Sequence, residues 1–220
     1  MLPERRHALT LTLACVTFWC CAAFGARWLG QWIALGGIAV VLALGSLVVD
    51  RAANLRLFRS LWPDTPREAL VGLCAGIVGG VVMTFATYAL YEPVVRAAPF
   101  FFHDVGHLYG VFVALPTWAA TLILVPIIAC EELVWRGVVQ STIAYRLSPA
   151  AAAALTCVVY ALAHAPAGSP VLALAAFGCG LVWCALRGLT RGLVAPLVAH
   201  LVWDFSVLLL HPLAAPVVKL

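Results

Sequence analysis

Charge is the scarcest commodity in this sequence. Of 220 residues, 13 are Lys or Arg and 9 are Asp or Glu, against a hydrophobic share of 65%. A soluble domain keeps much of its side-chain area in water, and a chain with so little polar surface could not do so. Lysine is almost missing: Lys219 is the one example, and every other basic residue is arginine. No polar linker is long enough to separate two domains, so the chain reads as one membrane domain over 1–220. There is no internal repeat, and the one low-complexity stretch is the alanine run 150–154, which suits close helix packing. C-x-x-C pairs are lacking too. The cysteines at 15, 20, 21, 74, 130, 157, 179 and 184 all lie in apolar runs, where they read as small buried hydrophobes rather than disulfides or metal ligands. No H-E-x-x-H occurs, which excludes a zincin-type helix site. No G-x-S-x-G occurs to support a serine nucleophile.

What the chain does have is apolar runs of about 20 residues, the length that crosses a bilayer. The fold class is therefore all-α: a polytopic helical membrane protein with about seven to eight transmembrane helices around an intramembrane cavity. Seven segments are expected near 8–26, 28–49, 68–91, 112–145, 149–165, 170–187 and 192–210. The fourth is long, and Pro126 is a natural place for it to bend. The basic N-terminus resembles a signal peptide, but no small-residue cleavage site follows, which favours a retained first helix. With the N-terminus inside, Arg5, Arg6, Arg51, Arg56, Arg59, Arg67, Arg146, Arg187 and Arg191 face the cytoplasm, while Arg27, Arg96 and Lys219 face out. That bias sets topology. It also accounts for the net charge of +4 without nucleic acid. The break at 92–108 (EPVVRAAPFFFHDVGHL) reads as an interfacial aromatic anchor in preference to a lid.

Six polar residues sit where a bilayer makes them costly: Glu131, Glu132, Arg136, His164, His200 and Asp204. A charge at mid-membrane costs about 2.5–3.5 kcal/mol on insertion scales, so such groups pair or act. Ser148-Pro149 marks a tight turn with a helix cap. Glu131 lies 15 residues before Arg146, and His164 lies 15 after Pro149. Both are thus about 22 Å from the turn, at one level on neighbouring helices. His200 and Asp204 are an i,i+4 pair on the last segment, as are Tyr160 and His164 on theirs. Glu132 and Arg136 share that spacing and are expected to form a salt bridge, which leaves Glu131 as the acid free to act. A buried structural network is the plainer alternative, and a proton relay of a coupled transporter another, although no matching halves are present.

EELVWR at 131–136, YALAH at 160–164 and HLVWD at 200–204 occur in order on apolar segments. This set resembles the CPBP family of intramembrane proteases, which includes the type II CAAX prenyl endopeptidases and bacterial Abi proteins. The resemblance covers roughly 109–211 and leaves 1–91 without a signature. It implies an intramembrane endopeptidase acting on a membrane-anchored or lipidated protein, with membrane lipids as surroundings. A bacterial inner membrane with a cytoplasmic N-terminus is the expected location. It implies that Glu131 and His164 activate water, that His200 and Asp204 form the oxyanion site, and that Glu132, Arg136 and Tyr160 support them. The family pattern allows Asn or Asp at 204, and ionised aspartate only accepts hydrogen bonds. Asp204 is then protonated, or holds His200 as the charged donor, or joins Glu131, His164 and His200 around a divalent ion such as zinc. A metal-free glutamic mechanism is favoured. The family also includes a non-enzymatic alternative, a membrane scaffold or bacteriocin self-immunity protein.

Overall fold

The computed structural model describes residues 3–49, 57–113 and 116–213. Asp50, Arg51, Arg56 and Lys219, used in the charge map above, lie outside the described residues. Among those described, the structure is all-helical: α1 (Pro3–Leu29), α2 (Gln31–Val48), α3 (Pro66–Ala97), α4 (Phe100–Val113), α5 (Thr117–Glu132), α6 (Gln140–Ala144), α7 (Pro149–His164), α8 (Pro170–Thr190) and α9 (Val194–Asp204). Two π-helical stretches, Leu133–Val139 and Phe205–Leu210, continue α5 and α9.

Local chemistry sets the boundaries. Three helices start with a hydroxyl residue followed by proline. Thr65, Ser148 and Ser169 each accept a backbone N–H through the side-chain oxygen, from Glu68, Ala151 and Leu172 respectively. The following proline loses nothing at a position whose N–H has no helical partner. Stops use positive φ: Gly30 at 84° parts α1 from α2, and Gly168 at 80° precedes α8. Arg191, at φ 57°, takes the left-handed conformation between α8 and α9.

Four helical stretches are long and apolar enough to cross a membrane: Ala8–Leu29, Pro66–Ala97, Pro149–Ala167 and Pro170–Thr190. Trp32–Val48 and Val194–Leu210 are shorter apolar helices. These stretches accord with the expected all-α polytopic membrane fold. The fourth expected segment is interrupted at both ends: α4 occupies its start, and π-helical turns replace regular helix after Glu132. Pro126 lies inside α5, upstream of that irregularity. The expected loop at 92–108 is also mostly helix, because α3 continues through Pro93 to Ala97 and α4 begins at Phe100. Large apolar side chains such as Ile33, Phe85 and Leu189 are exposed, as the outer surface of an integral membrane protein requires.

Helices pack as α1 on α2, α7 on α8, and α9 along α3. The α3–α9 contact depends on missing side chains. A Cβ on Gly76 would stand 2.6 Å from the Val198 Cβ and 2.7 Å from the Ala195 carbonyl, and one on Gly80 2.6 Å from the Val202 Cβ. Glycine therefore brings the backbones together, the packing mode of helices in lipid. All eight cysteines are free thiols.

Candidate active site

The polar residues singled out above converge. Glu131, Tyr160, His164, His200 and Asp204 line one cavity of about 110 Å³, together with Trp32, Trp183 and Trp203. That is room for several waters. The turn capped by Ser148 does bring the Glu131 and His164 levels together, and α9 supplies the third wall.

Glu131, at the end of α5, accepts a hydrogen bond from the Tyr160 hydroxyl at 2.9 Å through Oε2. Its other oxygen is left for a ligand in the cavity. Tyr160 sits close to α8 because Gly180 has no side chain: a Cβ there would meet the Tyr160 ring at 3.0 Å. The expected Glu132–Arg136 pair is present at 3.1 Å, with the two side chains 1% and 0% exposed. Arg136 lies over the rings of Tyr160 and Trp183, 4.6 and 5.0 Å from their centroids, so its remaining charge faces aromatic π-clouds.

Glu132 has a second partner that spacing did not reveal. Nδ1–H of His200 donates to the same Oε1 at 2.8 Å. Nε2 of His200 faces Asp204 Oδ2 at 3.5 Å, too long for a good hydrogen bond. That nitrogen is thus left to face the cavity, and it carries a proton to donate there when the ring is charged. Trp183 stacks on the His200 ring at 3.7 Å, fixing its plane.

His164 is held on both edges. Its Nδ1–H donates to the Tyr160 carbonyl at 2.7 Å, and its Nε2 accepts the indole N–H of Trp19 at 3.2 Å. Trp19 belongs to α1, 145 residues away, and no sequence motif pointed to it. In an apolar helix it reads as core, and only the third dimension joins it to His164. Trp183 escaped notice for the same reason.

The same bonds occupy nitrogens that a divalent ion would use. A metal-bound histidine needs a free lone pair. Both His164 nitrogens are engaged, and one of the two on His200 is bonded to Glu132. Among the described residues no three His, Cys, Asp or Glu side chains converge as a metal-holding group.

A second, larger cavity adjoins the first. It has about 450 Å³, is lined almost wholly by apolar side chains of α3, α4, α8 and the stretch after Asp204, and shares Leu108, Ala175, Trp203 and Leu208 with the first. Helix α4 lines both, with Leu108 common to the two. Asp104 accepts from Ser169 Oγ and from the Val171 N–H, both at 2.8 Å, at the start of α8. Trp32 donates to the Leu108 carbonyl at 3.0 Å, and the Tyr109 hydroxyl donates to that of Val207 at 2.6 Å. The aromatic stretch expected as an interfacial anchor is thus the start of a helix docked over the site.

Together, the fold and the cavity define an integral membrane protein with an acid–histidine site inside its helices. Residues 111–206, just under half of the chain, match the family described as Rce1-like, type II CAAX prenyl endopeptidase Rce1-like. The match contains all three motifs and agrees with the CPBP intramembrane proteases that they resemble. It suggests a CAAX-type intramembrane endopeptidase. The comparisons found no matching curated protein and no matching solved structure.

Proposed function

We propose that the chain is a metal-free, glutamic-type intramembrane endopeptidase that hydrolyses a peptide bond of a membrane-anchored or lipidated protein. The observation that carries this reading is the meeting of Glu131, His164, His200 and Asp204 on one small cavity within otherwise apolar helices. Glu131, with one oxygen held by Tyr160, takes a proton from a water bound at its other oxygen. The hydroxyl oxygen bonds to the substrate carbonyl carbon while His164, beside it, orients the water. The resulting oxyanion accepts the Nε2–H of His200, whose opposite edge Glu132 holds in place. Collapse of this intermediate breaks the C–N bond as Glu131 passes its proton to the leaving nitrogen. Asp204 in this scheme keeps His200 as the donor, the second of the three roles considered for it. The adjoining apolar cavity supports a lipid-modified or membrane-embedded substrate, because its size is that of a ligand site and its lining has little else to bind. The arginine bias supports a cytoplasmic N-terminus, and the family resemblance supports a bacterial inner membrane.

Comparing protein termini in membranes that carry the unaltered chain or Glu131→Ala names the substrate directly. Purified Glu131→Ala and His164→Ala are each expected to insert normally and to lose at least 10²-fold in cleavage of that substrate, the usual contribution of a positioned acid or base. Chelation of divalent ions is expected to leave the unaltered enzyme active. Near-normal cleavage by either variant would overturn the assignment of the water-activating pair.

A further inference from the structure

The bonds around His164 determine what it can do. A carbonyl only accepts, so the Nδ1 that faces Tyr160 O carries the proton. The neutral ring then has a single lone pair, on Nε2, and Trp19 donates to it. That lone pair is the atom with which His164 would engage a water. Trp19 is fully buried, packs edge-on against Trp135 at 5.3 Å, and is not among the residues lining the catalytic cavity. Its indole N–H and a water in the cavity therefore compete for one lone pair, which can accept from only one of them at a time.

We propose that Trp19 is a positioning residue for His164, holding Nε2 in the resting site and giving it up to the catalytic water during turnover. In the resting enzyme the indole fixes the Nδ1–H tautomer and the plane of the ring. For the water to be held between Glu131 and His164, its O–H must replace the indole N–H at Nε2. The exchange is within reach. A neutral hydrogen bond contributes modestly on balance, whereas a water on the Glu131 carboxylate is held by a stronger, charge-assisted one. Trp19 lies outside the segment that matches the family, so this would be the contribution of the N-terminal helices to the chemistry. The kinetic half of the proposal rests on the protease reading above; the contact itself does not.

Two measurements test it. In protein carrying 15N-labelled Trp and His, a scalar coupling across the Trp19–His164 hydrogen bond should be visible without any substrate. Replacing Trp19 by its benzothienyl isostere, which keeps the ring shape and has sulfur in place of N–H, should abolish that coupling. It should also raise kcat by about fivefold, the worth of one neutral hydrogen bond, with KM unchanged. Trp19→Phe should shift kcat in the same direction. No coupling in the unaltered protein overturns the proposal, whatever the protein does to peptides. A cleaving enzyme whose isostere is no faster overturns the competition alone. An unaltered chain that cleaves nothing sinks the protease reading, and the competition falls with it.

Discussion

At the scale of single residues, Glu132 has the most to distinguish. Its Oε1 accepts from both Arg136, at 3.1 Å, and His200, at 2.8 Å, so one carboxylate serves both charge balance and ring orientation. The two tasks can be separated by substitution. Glu132→Leu leaves Arg136 buried without its anion and is expected to cost about 3–5 kcal/mol, while replacing both members of a buried pair by apolar groups is often neutral. The double variant Glu132→Leu with Arg136→Met should therefore regain most of the thermal stability in detergent. It should still fail to cleave, because His200 has lost the acceptor that orients it. An active double variant would show that Glu132 serves charge balance only. The sequence reading found the Arg136 half of this arrangement, because i,i+4 spacing is local and fixed by helix geometry. It could not find the His200 half, which joins residues 68 apart. Trp19 is the extreme case: an indole in an apolar helix looks like core until its partner is placed. What sequence could locate were the groups whose burial is costly, since cost at depth is a property of residue type.

At the scale of elements, the site depends on how closely α9 can approach α3. His200 and Asp204 stand on α9, and the face of α9 carrying Val198 and Val202 lies against glycines of α3. A Cβ at Gly76 would press on a backbone carbonyl and a branched Cβ, both within 2.7 Å, neither of which can swing aside. Gly76→Ala is thus expected to push α9 outward, lowering stability by about 1–3 kcal/mol and activity with it. Gly25→Ala is the control, because a Cβ on that α1 glycine meets nothing within 4 Å. Thermal unfolding and cleavage of both variants check this, and equal behaviour of the two would mean that the α3–α9 seam does not govern the site. The turn at Ser148-Pro149 was readable, because a hydroxyl residue before proline is a local helix-start signal. The π-helical stretches after Glu132 and Asp204 were not. They follow directly on site residues, as such irregular turns often do, and reflect tertiary packing rather than any local breaker.

At the scale of the whole molecule, two cavities share a wall and differ in size and lining. The polar cavity of about 110 Å³ admits water and little more, whereas the apolar one of about 450 Å³ falls in the range of ligand sites. A substrate with an apolar anchor could seat it in the larger space and present its peptide bond across Leu108 and Trp203 to the smaller. Gly178 provides a clean test. It lines the apolar cavity, and a Cβ there meets open space, so Gly178→Leu fills volume without straining α8. If the anchor sits there, KM for a lipidated peptide should rise about four- to fifteenfold, the effect of losing one or two buried methylene-sized contacts. kcat should hold for both forms of the peptide, and KM for the unlipidated form should not change. Equal increases in KM with and without the lipid would place the anchor elsewhere. Unchanged values for both would leave the apolar cavity without a part in substrate binding.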